Sequence, residues 1–106
     1  LWNVKGRSAN AVDKKWMDDI TQLGCCVCHR QFNVFTEAEV HHIDGKTKEG
    51  AHLNSIPLCL RHHRAGQDNE SYTSRHPFKY RFEERYGTQL SLLEWTRSKI
   101  MEKNDE

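Results

Sequence analysis

Hydrophobic positions recur at helical spacing near both ends of the chain and at strand spacing between them. Val12, Trp16, Ile20 and Leu23 fall on one face of a helix, because residues three and four apart share a side at 3.6 residues per turn. Ser8 and Asn10 are both good N-caps and Gly24 is a stop, so the pattern predicts a helix packed into the core by that stripe. Farther on, Phe78, Phe82 and Tyr86 recur at intervals of four, with Pro77 placed for the first turn and Gly87 for the end. Ser91-x-x-Glu94 has the form of a capping box for a last helix. Leu92, Trp95 and Ile100 would face inward there.

The centre of the chain reads differently. Glu39-Val40-His41-His42-Ile43 predicts a short strand, Asp44-Gly45 a turn, and residues 46–54 a polar loop. Ser55-Ile56-Pro57-Leu58 predicts a second extended segment, and its proline assigns it to an edge or a strand start. A short helix follows over Cys59–Arg64, stopped near Gly66, and the polar stretch 66–75 reads as a mobile loop. Residues 25–38 read as a knuckle and a loop. The fold class is therefore α+β: an N-terminal arm over 1–9, one domain over 10–102, and a fraying tail over 103–106.

Composition adds a constraint. The chain has 106 residues, of which 36% are hydrophobic, and its mean hydropathy is −0.90. A core this modest often depends on a metal clip. Four cysteines allow two disulfides in principle. Nothing resembles a signal peptide, and no apolar run approaches the ~20 residues of a membrane span. Cys-x2-Cys among many histidines therefore reads as metal binding in a reducing, cytoplasmic compartment. The net charge of +1 gives little global attraction for nucleic acid. Locally, residues 41–85 carry eight Lys/Arg against six Asp/Glu, and Lys5 and Arg7 make the arm basic. The chain starts at Leu1, so a longer parent protein is expected.

Two spacings then carry chemistry. Cys25-x2-Cys28 and, about 30 residues on, Cys59-x2-His62 supply the four soft ligands of a closed structural zinc site. Cys26 lies between ligands and reads as a packed thiol. His29 and His52 read as ordinary surface or core histidines. The adjacent pair His41-His42 is less ordinary, since neighbours on a strand point to opposite sides. For both to serve one site, His42 must be twisted or bulged at the strand end.

Strand-His-His, loop, Asn54 and Pro-Leu-Cys-x2-His-His together resemble the ββα-metal motif of HNH endonucleases. More narrowly, Lys5-Gly6-Arg7, Cys25-Cys26-Val27-Cys28, Val40-His41-His42-Ile43-Asp44-Gly45-Lys46-Thr47, Gly50-Ala51-His52 and Pro57-Leu58-Cys59-Leu60-Arg61-His62-His63 are similar to the phage recombination enhancement function (Ref) nucleases. These are RecA-dependent HNH endonucleases, and the resemblance covers nearly the whole chain. It implies a zinc-stabilised ββα-metal core that hydrolyses DNA phosphodiester bonds in a bacterial or phage-infected cell, in concert with a RecA filament. It implies His42 as general base, a role suited to a pKa near the working pH. It implies His41 and His63, with His76 as a third, as ligands of a catalytic Mg2+ or Mn2+, zinc also being admissible. Asn54 would brace the loop around the base, and Lys46, Lys48, Arg61 and Arg64 would meet phosphates. The competing expectation is a non-catalytic zinc module that binds nucleic acid or protein. No residue decides DNA against RNA.

Overall fold

The computed structural model describes residues 8–105, so most of the expected arm, with Lys5 and Arg7, lies outside the described residues. Its centre is a two-stranded antiparallel hairpin of β1 (Glu39–His42) and β2 (Ser55–Leu58). The register pairs Glu39 with Leu58, Val40 with Pro57, His41 with Ile56 and His42 with Ser55. One further bond, from Ile43 N–H to the Asn54 carbonyl at 3.0 Å, extends the ladder past His42. Pro57 is tolerated because each strand of a two-stranded sheet has an outer edge where no N–H is needed. The connecting loop holds a 3-10 turn at Ala51–Leu53, entered through Gly50 in the left-handed region at φ 76°.

Helices surround this hairpin. The first, α1 (Ala11–Leu23), is capped by Asn10, whose side chain accepts from Asp13 N–H at 2.8 Å while the Asp13 carboxylate accepts from Asn10 N–H at 3.1 Å. Its stripe is narrower than expected: Ile20 is buried and Trp16 half-buried, but Val12 is 66% exposed. Trp16 instead reaches the sheet, donating from its indole to the Ser55 carbonyl.

The knuckle expected at the start of 25–38 is a helix from Cys26 to Phe32, and residues 33–38 are the expected loop. In α2 (Cys26–Phe32), Cys25 is the N-cap, and Asn33 ends the helix in the left-handed region at φ 54°. Seven residues are too few to show a period, and the left-handed Asn is the one sequence signal that marks the end. The short α3 (Leu60–His63) follows β2 directly, with Cys59 as its N-cap.

The last two helices start elsewhere than their sequence signals suggest. α4 (Lys79–Tyr86) begins two residues after Pro77, whose bond to His76 is cis. α5 (Gln89–Asn104) begins at Thr88, whose hydroxyl accepts from Ser91 N–H at 3.1 Å. Ser91 is thus the third helical residue and not the cap. Leu92 and Ile100 face inward as expected, joined by Leu93, Thr96 and Gln89. α5 continues to Asn104, into the stretch expected to fray.

Residues 66–75, expected as a mobile loop, are held by a set of hydrogen bonds. Asp68 bridges Thr73, the Asn69 side chain accepts from Ser71 and Tyr72 N–H, and Ser74 donates to the Arg61 carbonyl. Thr73 and Ser74 are fully buried. Polar side chains here take the backbone partners that a sheet or helix would supply. The core joins Cys25, Cys26, Val27, Cys28, Cys59, Ile56, Leu58, Phe82, Tyr86, Leu92 and Leu93. Cysteines thus occupy the middle of the hydrophobic cluster. No helix among the described residues is long and apolar enough to cross a membrane.

Candidate active site and metal centres

Two clusters of metal-ligating side chains lie around the hairpin. In the first, Cys25 caps α2, Cys28 lies one turn into it, Cys59 caps α3 and His62 lies one turn into that helix. All four are buried. His62 Nδ1 lies 3.7, 3.6 and 3.2 Å from the sulfurs of Cys25, Cys28 and Cys59, and Cys28 and Cys59 are 3.9 Å apart. Zinc bonds of ~2.3 Å to sulfur and ~2.0–2.1 Å to nitrogen give tetrahedron edges of about 3.6–3.8 Å. The donor set fits that ion in size as well as in chemistry.

The electrostatics agree. Cys59 is pulled down to about 3 and Cys28 to about 6, each foremost by its hydrogen bond with Cys25, while Cys25 is pushed up by the same contacts. Cys28 and Cys59 thus favour thiolate, the form that binds metal, with Cys25 as the proton donor to both. His62 Nε2 is buried without a partner, which leaves Nδ1 as the nitrogen that meets the sulfurs. Cys26 is fully buried away from this group, and burial pushes its thiol up to about 12. It is the packed thiol the spacing suggested.

The second cluster is His41, His63 and His76, whose ligating atoms lie within 4.8 Å of one another. Ring centroids are 5.1–5.2 Å apart. His41 comes from β1 and His63 from the last position of α3. His76 is brought alongside by two backbone bonds of 2.8 Å, Arg75 N–H to the His62 carbonyl and His76 N–H to the His63 carbonyl. The fastened segment 66–75 is what delivers it.

Each of the two inner histidines has a partner that sequence reading passed over. Glu39 Oε1 accepts from His63 Nδ1 at 2.8 Å, which leaves Nε2 for an ion, the usual arrangement behind a metal-bound imidazole. Arg64 holds the same carboxylate at 2.9 and 2.6 Å. Arg64, and after it His63, drop Glu39 to about 2. Arg64 was a candidate phosphate contact, and here its charge is shared with Glu39. His41 Nε2 meets Gln89 Oε1 at 2.7 Å. Burial drops His41 to about 4, against the opposing pull of Gln89, so the ring is neutral near pH 7. Burial, then Arg75 and His63, lower His76 as well. Neutral imidazole is the form that ligates.

His42 belongs to neither cluster. The ladder runs without a bulge through His42 and Ser55, so the expected twist is absent and His42 stands on the other face from His41. There its Nε2 lies 2.9 Å from Nδ1 of His52, which the 3-10 turn presents. Burial, followed by His52 and Lys46, lowers His42 below 6.5. His52 is 9% exposed; read as an ordinary histidine, it is the partner of His42. Asn54 closes the same loop: its carbonyl accepts from Ile43 N–H, and its side chain accepts weakly from Arg97 at 3.4 Å. Lys46 and Lys48 are exposed on the loop between the strands. Arg61 is exposed on α3, with its guanidinium 5.7 Å from the Tyr72 ring centre.

The elements that carry these groups, from α1 through α5, fall within one family pattern. The model for recombination enhancement, RecA-dependent nucleases matches residues 9–101, and with nearly the whole described chain covered, the protein belongs to that family of nucleases.

Proposed function

We propose that this chain is a metal-dependent HNH endonuclease that hydrolyses DNA phosphodiester bonds during RecA-dependent recombination, acting in the cytoplasm beside a RecA filament. The observation that carries the reading is the separation of two metal-ligating groups. A closed Cys25–Cys28–Cys59–His62 cluster fits a structural zinc, and a distinct trio of His41, His63 and His76 converges apart from it. A structural role needs only the first.

In this reading His41, His63 and His76 hold a Mg2+ or Mn2+ ion, with Zn2+ a possible substitute. Such an ion, when bound, neutralises charge on the phosphate and the leaving oxygen. His42 removes the proton from water. With the bond run from His42 Nε2–H to His52 Nδ1, the assignment this role requires, the basic lone pair sits at His42 Nδ1. The lowered pKa of His42 keeps that lone pair available near neutral pH. His52 orients the ring, as the orienting group beside a catalytic imidazole does. Asn54 braces the loop, through backbone bonds at both its N–H and its carbonyl. Lys46, Lys48 and Arg61, all exposed, meet the DNA backbone in this reading.

The test is cleavage of plasmid and displacement-loop DNA with Mg2+ or Mn2+, with and without RecA and ATP. Cleavage that needs the divalent ion and rises with the RecA filament is the expected result. No cleavage under any divalent ion, with or without RecA, would favour a zinc-stabilised binding module.

A further inference from the structure

Gln89 is the first residue of α5, yet it is buried at 3% exposure, and its side chain is the hydrogen-bond partner of His41. A glutamine amide has a donor end and an acceptor end, and which end faces which neighbour must be settled by partners that work in only one direction. Gln89 has one such partner at each end. Its Nε2 lies 3.2 Å from Oε2 of Glu83, a carboxylate that can only accept, and its backbone N–H meets the same oxygen at 3.2 Å. Its Oε1 lies 2.9 Å from Nε of Arg75, a guanidinium that can only donate. The amide therefore cannot flip without losing both bonds. Oε1 faces His41, and an amide oxygen cannot donate.

The consequence falls on the imidazole. At 2.7 Å from an acceptor, His41 Nε2 must carry the proton, and a neutral ring with Nε2–H has its lone pair at Nδ1. We propose that Gln89, locked by Glu83 and Arg75, is the positioning residue that fixes His41 in the Nε2–H tautomer and so makes Nδ1 its metal-ligating atom. The two inner histidines then ligate through opposite nitrogens, His41 through Nδ1 and His63 through Nε2, the latter set by Glu39. This also gives the α4–α5 corner a role in the site. Glu83 sits in α4 and Gln89 opens α5, so the junction of the two helices is tied to a ligand on β1. The proposal rests on the metal reading of the trio given above.

The experiment uses the full chain carrying its structural zinc and labelled with 15N-histidine, and has two readouts. Nitrogen NMR in the absence of added Mn2+ reports the tautomer of His41, and calorimetric titration with Mn2+ reports affinity. Wild type should show His41 protonated at Nε2. Gln89→Leu, which keeps bulk and removes the acceptor, should lose that preference and weaken Mn2+ binding about 10–100-fold, the range for removing an outer partner of a metal-bound histidine. Gln89→Glu, which keeps an acceptor, should restore the tautomer. Glu83→Gln lies a step away from His41 and removes the accept-only partner at one end of the amide, leaving Arg75 at the other. It should shift both readouts in the same direction by less, and it decides the matter if Gln89→Leu does not fold. A wild-type His41 protonated at Nδ1, or a tautomer unmoved by both Gln89→Leu and Glu83→Gln, would overturn the proposal. Tighter Mn2+ binding in Gln89→Glu, with the tautomer independent of Gln89, would make Gln89 itself a ligand and overturn it too. The expected tautomer in a wild type that binds no Mn2+ would instead overturn the metal reading of the trio and the ligand assignment built on it.

Discussion

His41 and His42 are neighbours in the chain but answer to different partners, and single substitutions should separate their roles. His42→Ala should lower cleavage by ~10²–10⁴-fold, the usual contribution of a general base, with fold, zinc content and DNA affinity nearly unchanged. The base works only as neutral imidazole, so cleavage should rise with pH. Because burial and His52 hold His42 below 6.5, the midpoint of that rise should lie below 6.5. His41, at about 4, is already neutral there and does not set the limb. A midpoint above 6.5 would take the base away from His42, and cleavage that survives His42→Ala would pass the role to His52. Glu39 allows a second separation. Its ion pair with Arg64 joins side chains that are 35% and 59% exposed, a class of contact that contributes about 0–1 kcal/mol to stability. In the proposed reading its bond to His63 acts on the catalytic metal instead. Glu39→Ala should therefore leave the melting temperature nearly unchanged while weakening Mn2+ binding about 10–100-fold. A variant that melts early and binds Mn2+ normally would show Glu39 to be structural.

At the scale of elements, the readable features are those that repeat. The spacing of Ile20 with Trp16, of Phe82 with Tyr86 and of Leu92 with Ile100 marks the three longer helices, and alternation with a Gly turn marks the hairpin. Features that depend on one polar contact are not readable this way. α2 has seven residues and no period; segment 66–75 looks like loop because its order comes from the Asn69 and Ser74 side chains and the Tyr86 hydroxyl bonding backbone groups. The cysteines and histidines of both metal groups stand out by type and spacing. Glu39, His52 and Gln89 do not, since nothing local distinguishes a carboxylate, imidazole or amide that meets a histidine 10 to 48 residues away. The start of α5 gives a direct comparison of the two views. A capping box at Ser91 would make Ser91→Ala the costly change. With Thr88 as the cap, Thr88→Ala should cost about 1 kcal/mol and Ser91→Ala, which keeps the capped N–H, much less. Denaturant melts of the two variants decide it, and equal or reversed costs would return the cap to Ser91.

For the whole molecule, the question is what remains when metal is removed. Cys25, Cys28 and Cys59 lie inside the same hydrophobic cluster as Ile56, Leu58, Phe82 and Leu92. They join α2, α3 and the end of β2, three short elements that bury little surface by themselves. Zinc binding at such a site contributes an apparent ~10–16 kcal/mol near pH 7, as much as or more than the whole stability of a typical domain, ~5–15 kcal/mol. Stripping zinc with a strong chelator should therefore unfold the domain cooperatively, and restoring zinc should refold it. Cys59→Ser should show the same loss without chelator, whereas Cys26→Ala should keep its zinc and lose only the packing of one buried sulfur. The histidine trio should behave in the opposite way. His41 is buried, but His63 is half-buried and His76 exposed, and Glu39 and Gln89 hold the two inner rings from the protein side. Mild chelation that removes only a weakly held Mn2+ or Mg2+ should thus abolish cleavage and leave the circular dichroism and melting curve unchanged. If His63→Ala or His41→Ala instead empties the protein of zinc, the two clusters are not independent, and that residue belongs to the structural site. One zinc per chain in both variants, with cleavage lost, is the outcome expected of a fold held by one metal and a reaction served by another.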